Sequence, residues 1–194
     1  MATHDVETDS LARAFIDASS TSFRANKGFA DQATAQLPDE KLRIALDPNT
    51  NSIAVVMKHV AGNLRSRWTD FLTTDGEKPW RDRDAEFVDA FADRDELSAC
   101  WESGWRALFD ALSALSPADL ARTVTIRGEP HSVPLAIQRS LAHCGYHVGQ
   151  IVLTARILAG DDWKTITIPR GGSANFNQRA WDRGHDRPAL PGET

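Results

Sequence analysis

An all-α, antiparallel four-helix bundle is the fold that this sequence predicts. Three observations predict it: four segments carry apolar residues at helical spacing, little of the chain alternates as a strand does, and 194 residues suffice for one domain with a real core. Long connectors after the first and second helices leave room for a crossover. The expected plan is a bundle over residues 1–160, with a short β-hairpin before its last long helix. Residues 161–194 form a C-terminal extension, expected to pack on the bundle or on a partner subunit.

The first helix is expected from Ser10 to Gln36, with Asp9 or Ser10 as its cap. Its apolar stripe reads Leu11, Ala14, Phe15, Ala18, Ala25 and Phe29. A connector bracketed by Pro38 and Pro48 follows. The second helix is expected from Ser52 to Leu72, with Ile53, Met57, Val60, Leu64, Trp68 and Phe71 on one stripe. A charged, turn-rich loop, T-T-D-G-E-K-P-W-R-D-R-D, comes next. The third helix starts at Asp93, where Asp93 and Glu96 offer a capping box. Its stripe is Leu97, Trp101, Trp105, Leu108, Leu112 and Leu115. Ser116 and Pro117 open a short helical turn. T-V-T-I-R-G-E-P-H-S reads as two short strands turning at Arg127–Gly128. The fourth helix runs from Val133 to Leu158, capped by Ser132 and closed by Gly160. Beyond it no long periodic segment is evident, and the composition is that of a tail.

Hydrophobic residues make up 41% of the chain and the net charge is −5, which argues against a nucleic-acid binder with its basic stripe. No apolar run is long enough to span a bilayer, and the acidic N-terminus lacks the apolar core of a signal peptide. Cys100 and Cys144 form no CxxC motif and sit in apolar helical contexts, so a reducing, cytoplasmic home is the simplest expectation.

Chemistry concentrates in L-A-H-C-G-Y-H-V-G-Q. His143 and His147 lie four apart, on one helical face, close enough to share one metal ion. That face also collects Ser140, Gln150 and Thr154, a polar seam that costs free energy unless its members are paired or ligated. Histidines satisfied by hydrogen bonds in the core are the competing reading. A third ligand favours metal, and His59 on the second helix is the best candidate; His131 is a weaker one. His4 and His185 read as solvated. Without HExxH the zincin mechanism is excluded. Three histidines leave a position open, the pattern of a catalytic rather than a structural site. Imidazole suits several transition metals, so the sequence does not name the ion. Asn63 and Gln150 lie one turn from a ligand, and Arg65, Arg67 and Arg139 are the nearest cations. Each is a candidate contact for a substrate or for a ligand histidine, against the plainer reading of a solvated helix face.

One His in the second helix and His-x-x-x-His in the fourth resemble the DinB-like superfamily of metal-binding four-helix bundles. The likeness is closest to a bacterial subgroup of unknown function. It is carried by N-S-I-A-V-V-M-K-H-V-A-G-N-L-R-S-R-W-T-D-F-L-T-T-D-G-E-K-P-W, T-V-T-I-R-G-E-P-H-S, H-C-G-Y-H-V-G-Q-I-V and W-K-T-I-T-I-P-R-G-G-S-A-N-F-N, between Asn51 and Asn177. The first helix matches only as a generic helix. The resemblance implies one divalent metal, such as Zn, Ni or Fe, on His59, His143 and His147, and it implies homodimers. Characterised relatives include thiol-dependent transferases and isomerases that use a low-molecular-weight thiol as cosubstrate.

The chemistry expected is therefore metal-assisted transfer of a thiol sulfur to an electrophile. Two other readings stay open at this level: a non-catalytic metal-binding stress or interaction protein, and a hydrolase using metal-bound water. No carboxylate is clearly placed in sequence as a general base. Cys144 points about 100° away from the ligand face and reads as packing. The side of the fourth helix opposite the seam, with Leu141, Val148, Val152, Ala155 and Ala159 beside Gly145 and Gly149, fits either the monomer core or a second subunit.

Overall fold

A computed structural model describes residues 2–185, and the side chains of residues 7–179. The chain divides into two compact units, Met1–Asp161 and Asp162–Thr194.

In the first unit the order is α1 (Ala2–Thr34), α2 (Asp39–Leu42), α3 (Ile53–Trp68), α4 (Arg94–Ala114), β1 (Thr123–Ile126), β2 (Glu129–Ser132) and α5 (Val133–Ala159). The long helices α1, α3, α4 and α5 make the all-α bundle; α3 packs on α4 and α5, and α1 packs on α5.

Local chemistry sets most of the boundaries. Ser52 caps α3 by accepting from the Val55 N–H, and Ser132 caps α5 by accepting from that of Leu135. Asp93 caps α4 through the Glu96 N–H, but the Glu96 carboxylate reaches back to the Ala92 N–H rather than to Asp93. Ser116 and Asp119 form a reciprocal capping box on the 3-10 turn Pro117–Ala121. The hairpin turns at Arg127 and Gly128, both at positive φ (57° and 75°), as a two-residue type I′ turn requires. Just past α1, Arg94 donates to the Leu37 carbonyl and to the Thr34 carbonyl, which also accepts from the Leu37 N–H.

The core is built on aromatic rings from three helices. Phe23 of α1 meets Trp68 of α3 edge-on at 6.2 Å and Trp105 of α4 at 6.5 Å. Trp101 packs on Trp105 at 5.4 Å. All six residues of the α3 stripe and all six of the α4 stripe are buried, as their periodicity predicts. Helices α3 and α4 approach closely at Gly104, where a Cβ would stand 2.6 Å from the Ala61 Cα.

Two sequence expectations need correction, and a third that was left open is narrowed. Helix α1 starts at Ala2, so Asp9 and Ser10 lie inside it, and its buried face is Ile16, Ser19, Phe23, Ala30 and Ala33. Leu11 and Phe29, on the expected stripe, are 74% and 37% exposed. Alanine recurs on several faces of α1, and it is the bulk of Ile16 and Phe23 that chooses which one turns inward. Helix α3 ends at Trp68, four residues early, because Thr69 is extended and Asp70 takes a left-handed φ of 48°. On α5, Val148, Ala155 and Ala159 are buried within this chain and Leu141 and Val152 are half-buried, so most of the side opposite the histidines packs in the monomer core. Gly149 faces open space, and a Cβ on Gly145 would find only Asn26 Oδ1, at 3.8 Å. Within this chain neither glycine serves a close helix–helix approach.

The second unit contains α6 (Ser173–His185), which follows a turn at Gly171 with φ of 76°. Its apolar positions are too few to register as a stripe, so its sequence reads as a tail. The side chains of His4 and His185 lie outside the described residues. No described helix is long and apolar enough to cross a membrane.

Candidate metal centre

Helices α3 and α5 pack side by side, and this brings three histidines from distant positions together. His59 comes from α3, and His143 and His147 from successive turns of α5. One nitrogen of each ring lies within 4.8 Å of the other two. Nε2 of His59 and Nε2 of His143 are 3.2 Å apart. Two nitrogens bound to one tetrahedral zinc, each at about 2.0–2.1 Å, are about 3.3 Å apart. The spacing therefore fits a shared cation.

The remaining ring nitrogens explain why the lone pairs face inward. His59 Nδ1 is 2.9 Å from Glu86 Oε2, and a carboxylate only accepts, so the proton sits on Nδ1 and Nε2 is free. His147 Nδ1 is 2.8 Å from Gln150 Oε1, which leaves its Nε2 free in the same way. This is the pattern by which an outer partner fixes the tautomer of a ligating imidazole. Nδ1 of His143 is buried without a partner. Burial, helped by His147 and His59, pushes His143 down to about 3, and burial also lowers His147. Both rings therefore stay neutral at physiological pH, as a ligand must be. The three histidines are arranged so that they could hold a metal ion.

Glu86 is the partner that the sequence does not reveal. It lies 27 residues from His59, in the 3-10 turn Ala85–Phe87 of the charged loop. Arg81 holds it in turn, with Nε on Oε1 at 2.8 Å and Nη2 on Oε2 at 2.9 Å. Gly62, one turn beyond His59, makes the room: a Cβ there would sit 2.2 Å from Glu86 Oε1. The same loop is tied to the hairpin. Asp75 accepts from the N–H groups of Glu77, Arg127 and Gly128, which hold its carboxyl at about 2, and Gly76 donates to the Thr125 carbonyl at 2.8 Å.

Loop, hairpin, α3 and α5 enclose a cavity of about 150 Å³, with His59 and His143 on its wall. Five arginines line it: Arg67, Arg81, Arg83, Arg127 and Arg139. Glu77 pairs with three of them, Arg67, Arg81 and Arg127. Burial raises the Glu77 carboxyl, but these guanidinium groups outweigh it and hold the group below the usual carboxylate range.

The other expected site residues distribute as follows. Asn63, Arg67 and Arg139 line the cavity, while Gln150 stands behind His147. Arg65 lies elsewhere, its guanidinium 5.4 Å over the Trp80 ring. Ser140 accepts from Trp68 Nε1 at 3.2 Å. Cys144 is fully buried, and burial pushes its thiol up to about 12, which leaves it a packing residue. His131 is not in the cluster; it contacts Arg139.

The model of one family, described as protein of unknown function (DUF1572), matches residues 10–172, which include all three histidines and the loop and hairpin around them. The chain belongs to the DUF1572 family. No curated protein matches it.

Proposed function

We propose that this DUF1572 protein is a DinB-like, metal-dependent transferase that joins a low-molecular-weight thiol to an electrophile. The observation that carries the reading is the three-histidine cluster opening onto a cationic cavity. A structural metal would have a fourth protein ligand and no cavity beside it; among the described residues the cluster has three members. Bound there, a zinc-, nickel- or iron-type cation supplies Lewis acidity that makes a thiol available as thiolate at neutral pH.

The chain's own groups support sulfur over water as the nucleophile. A water nucleophile benefits from a carboxylate base, yet Glu77 and Glu86 are each committed to guanidinium groups, and Asp75 to backbone N–H groups. A thiol held by the cation would lose its proton to solvent on binding and would then need no carboxylate base. The thiol must come from a cosubstrate, because Cys144 is buried and burial also raises Cys100. Both cysteines are free, which suits the reducing cytoplasm that we assign to the protein.

Helix α5 also supports a homodimer, through a face other than the one the sequence singles out. Leu135, Tyr146, Leu153 and Ile157 lie along one side of it and are 54–65% exposed. A clean monomer by gel filtration at micromolar concentration would overturn the dimer.

The activity is tested by screening electrophiles against candidate thiols, on metal-loaded wild type and on His59→Ala. Thioether formation that depends on His59 is expected. Turnover undiminished in His59→Ala would overturn the mechanism.

A further inference from the structure

Of the five arginines at the cavity, three have their charge offset. Arg67 and Arg127 pair with Glu77 at 3.2 and 2.9 Å, and Arg81 pairs with both Glu86 and Glu77. Among the described residues, Arg83 and Arg139 have no carboxylate within ion-pair distance.

Arg139 differs from Arg83 in being aimed. Its Nη1 donates to Nε2 of the buried His131 at 2.7 Å, while His131 Nδ1 is 2.9 Å from the Glu129 carbonyl. A guanidinium only donates and a carbonyl only accepts. The ring is therefore the neutral tautomer with its proton on Nδ1. A neutral acceptor fixes Arg139, an exposed residue on the cavity's rim, and leaves its positive charge uncancelled there. A carboxylate in the same place would have cancelled that charge, as Glu77 and Glu86 do for the other three. Arg139 also stands one helical turn before His143, so their Cβ atoms are roughly 5–6 Å apart on one face.

We propose that Arg139 anchors a carboxylate or phosphate group on the small molecule that enters this cavity, and that His131 is its positioning residue. The ligand is a compact organic anion whose charged group lies about one helical turn from the part that reaches the histidine cluster. The cavity, about 150 Å³, is well above the roughly 10–15 Å³ that one water needs and admits such a group. The inference rests on reading this cavity as the substrate site of the proposed transferase.

The test is calorimetric titration of metal-loaded protein with inorganic phosphate, with succinate and with the neutral succinamide, alongside elemental analysis of each sample. Phosphate and succinate tell the two anion chemistries apart, and Arg106→Gln on α4 is the control. Arg139→Gln is expected to weaken whichever anion binds by about tenfold or more at unchanged metal content. Arg139→Lys should restore part of the loss. His131→Gln should weaken the charged probes alone, and should add nothing in the Arg139→Gln background, because it acts only through that guanidinium. Wild type that binds neither anion more tightly than succinamide would overturn the proposal, as would Arg139→Gln with unchanged affinity. Arg139-dependent anion binding in samples that never take up metal would support this inference while removing the metal-dependent reading.

Discussion

The aromatic core of the bundle and the face of α3 and α5 that carries the histidines are built by opposite means. Around Trp105, side chains from α1, α3 and α4 interlock with almost no charge, and the energy is that of apolar burial. Around His59, the groups that matter are polar, and nearly every one is held by another: Glu86 by Arg81, Asp75 by three backbone N–H groups, Glu77 by three arginines. A packed core tolerates change in proportion to the volume lost. A buried polar network is worth most when complete, because each broken pair leaves a partner stranded in low dielectric. The aromatic core is therefore where truncation should cost most stability, and the histidine cluster is where it should cost function.

The contrast makes ordered predictions. The largest effect is on metal content: His143→Ala should fall from about one divalent metal per chain to none by elemental analysis, within the three-histidine expectation. His185→Ala should retain it. A metal-free wild type, purified without a chelator or a histidine tag, would remove the site. Trp105→Ala, in the aromatic core, should lower unfolding free energy by about 3–5 kcal/mol in urea, with metal per folded chain unchanged. Glu86→Gln keeps the shape behind His59 but not the charge. Metal affinity in a competition assay should drop roughly 10- to 100-fold, with a much smaller change in melting temperature than for Trp105→Ala.

A smaller effect is expected from pH in the metal-free protein. His143 titrates near 3 when folded, because of burial and the neighbouring His147 and His59, whereas an unfolded imidazole titrates at about 6.5. Between those values the unfolded chain binds the extra proton, so stability rises with pH across the window and is lost as pH falls. The slope from this residue is at most about 1.4 kcal/mol per pH unit, and less after solvent screening. Urea midpoints of wild type and His143→Asn should diverge from pH 4 to pH 6.5; parallel curves would remove the assignment. Smallest of all, Gly149→Ala has open space for its Cβ on a helix interior and should stabilise by up to about 1 kcal/mol. A loss there would show that a second chain packs on that position.

Where local chemistry decides, the sequence was enough. The stripes of α3 and α4, the caps at Ser52, Asp93 and Ser132, and the turn at Arg127–Gly128 all rest on residues a few positions apart. The pairing of His143 with His147 is legible for the same reason, since four residues on a helix is a fixed geometry. His59 could be named as a candidate third ligand, but its distance to His143 could not. Glu86 carried no signal, because nothing about a glutamate in a charged loop says that it will turn inward under Gly62. The buried face of α1 was misjudged because alanines allow several faces and only the rings opposite choose among them.

Helix content, bundle class and two of the three histidines thus followed from periodicity and spacing along the chain, which are properties of neighbours. The meeting of His59 with His143, the carboxylate behind it and the uncompensated cation at Arg139 depended on how α3, the loop, the hairpin and α5 pack. Those contacts join residues 8 to 84 positions apart, and only the folded chain brings their charges within reach of each other.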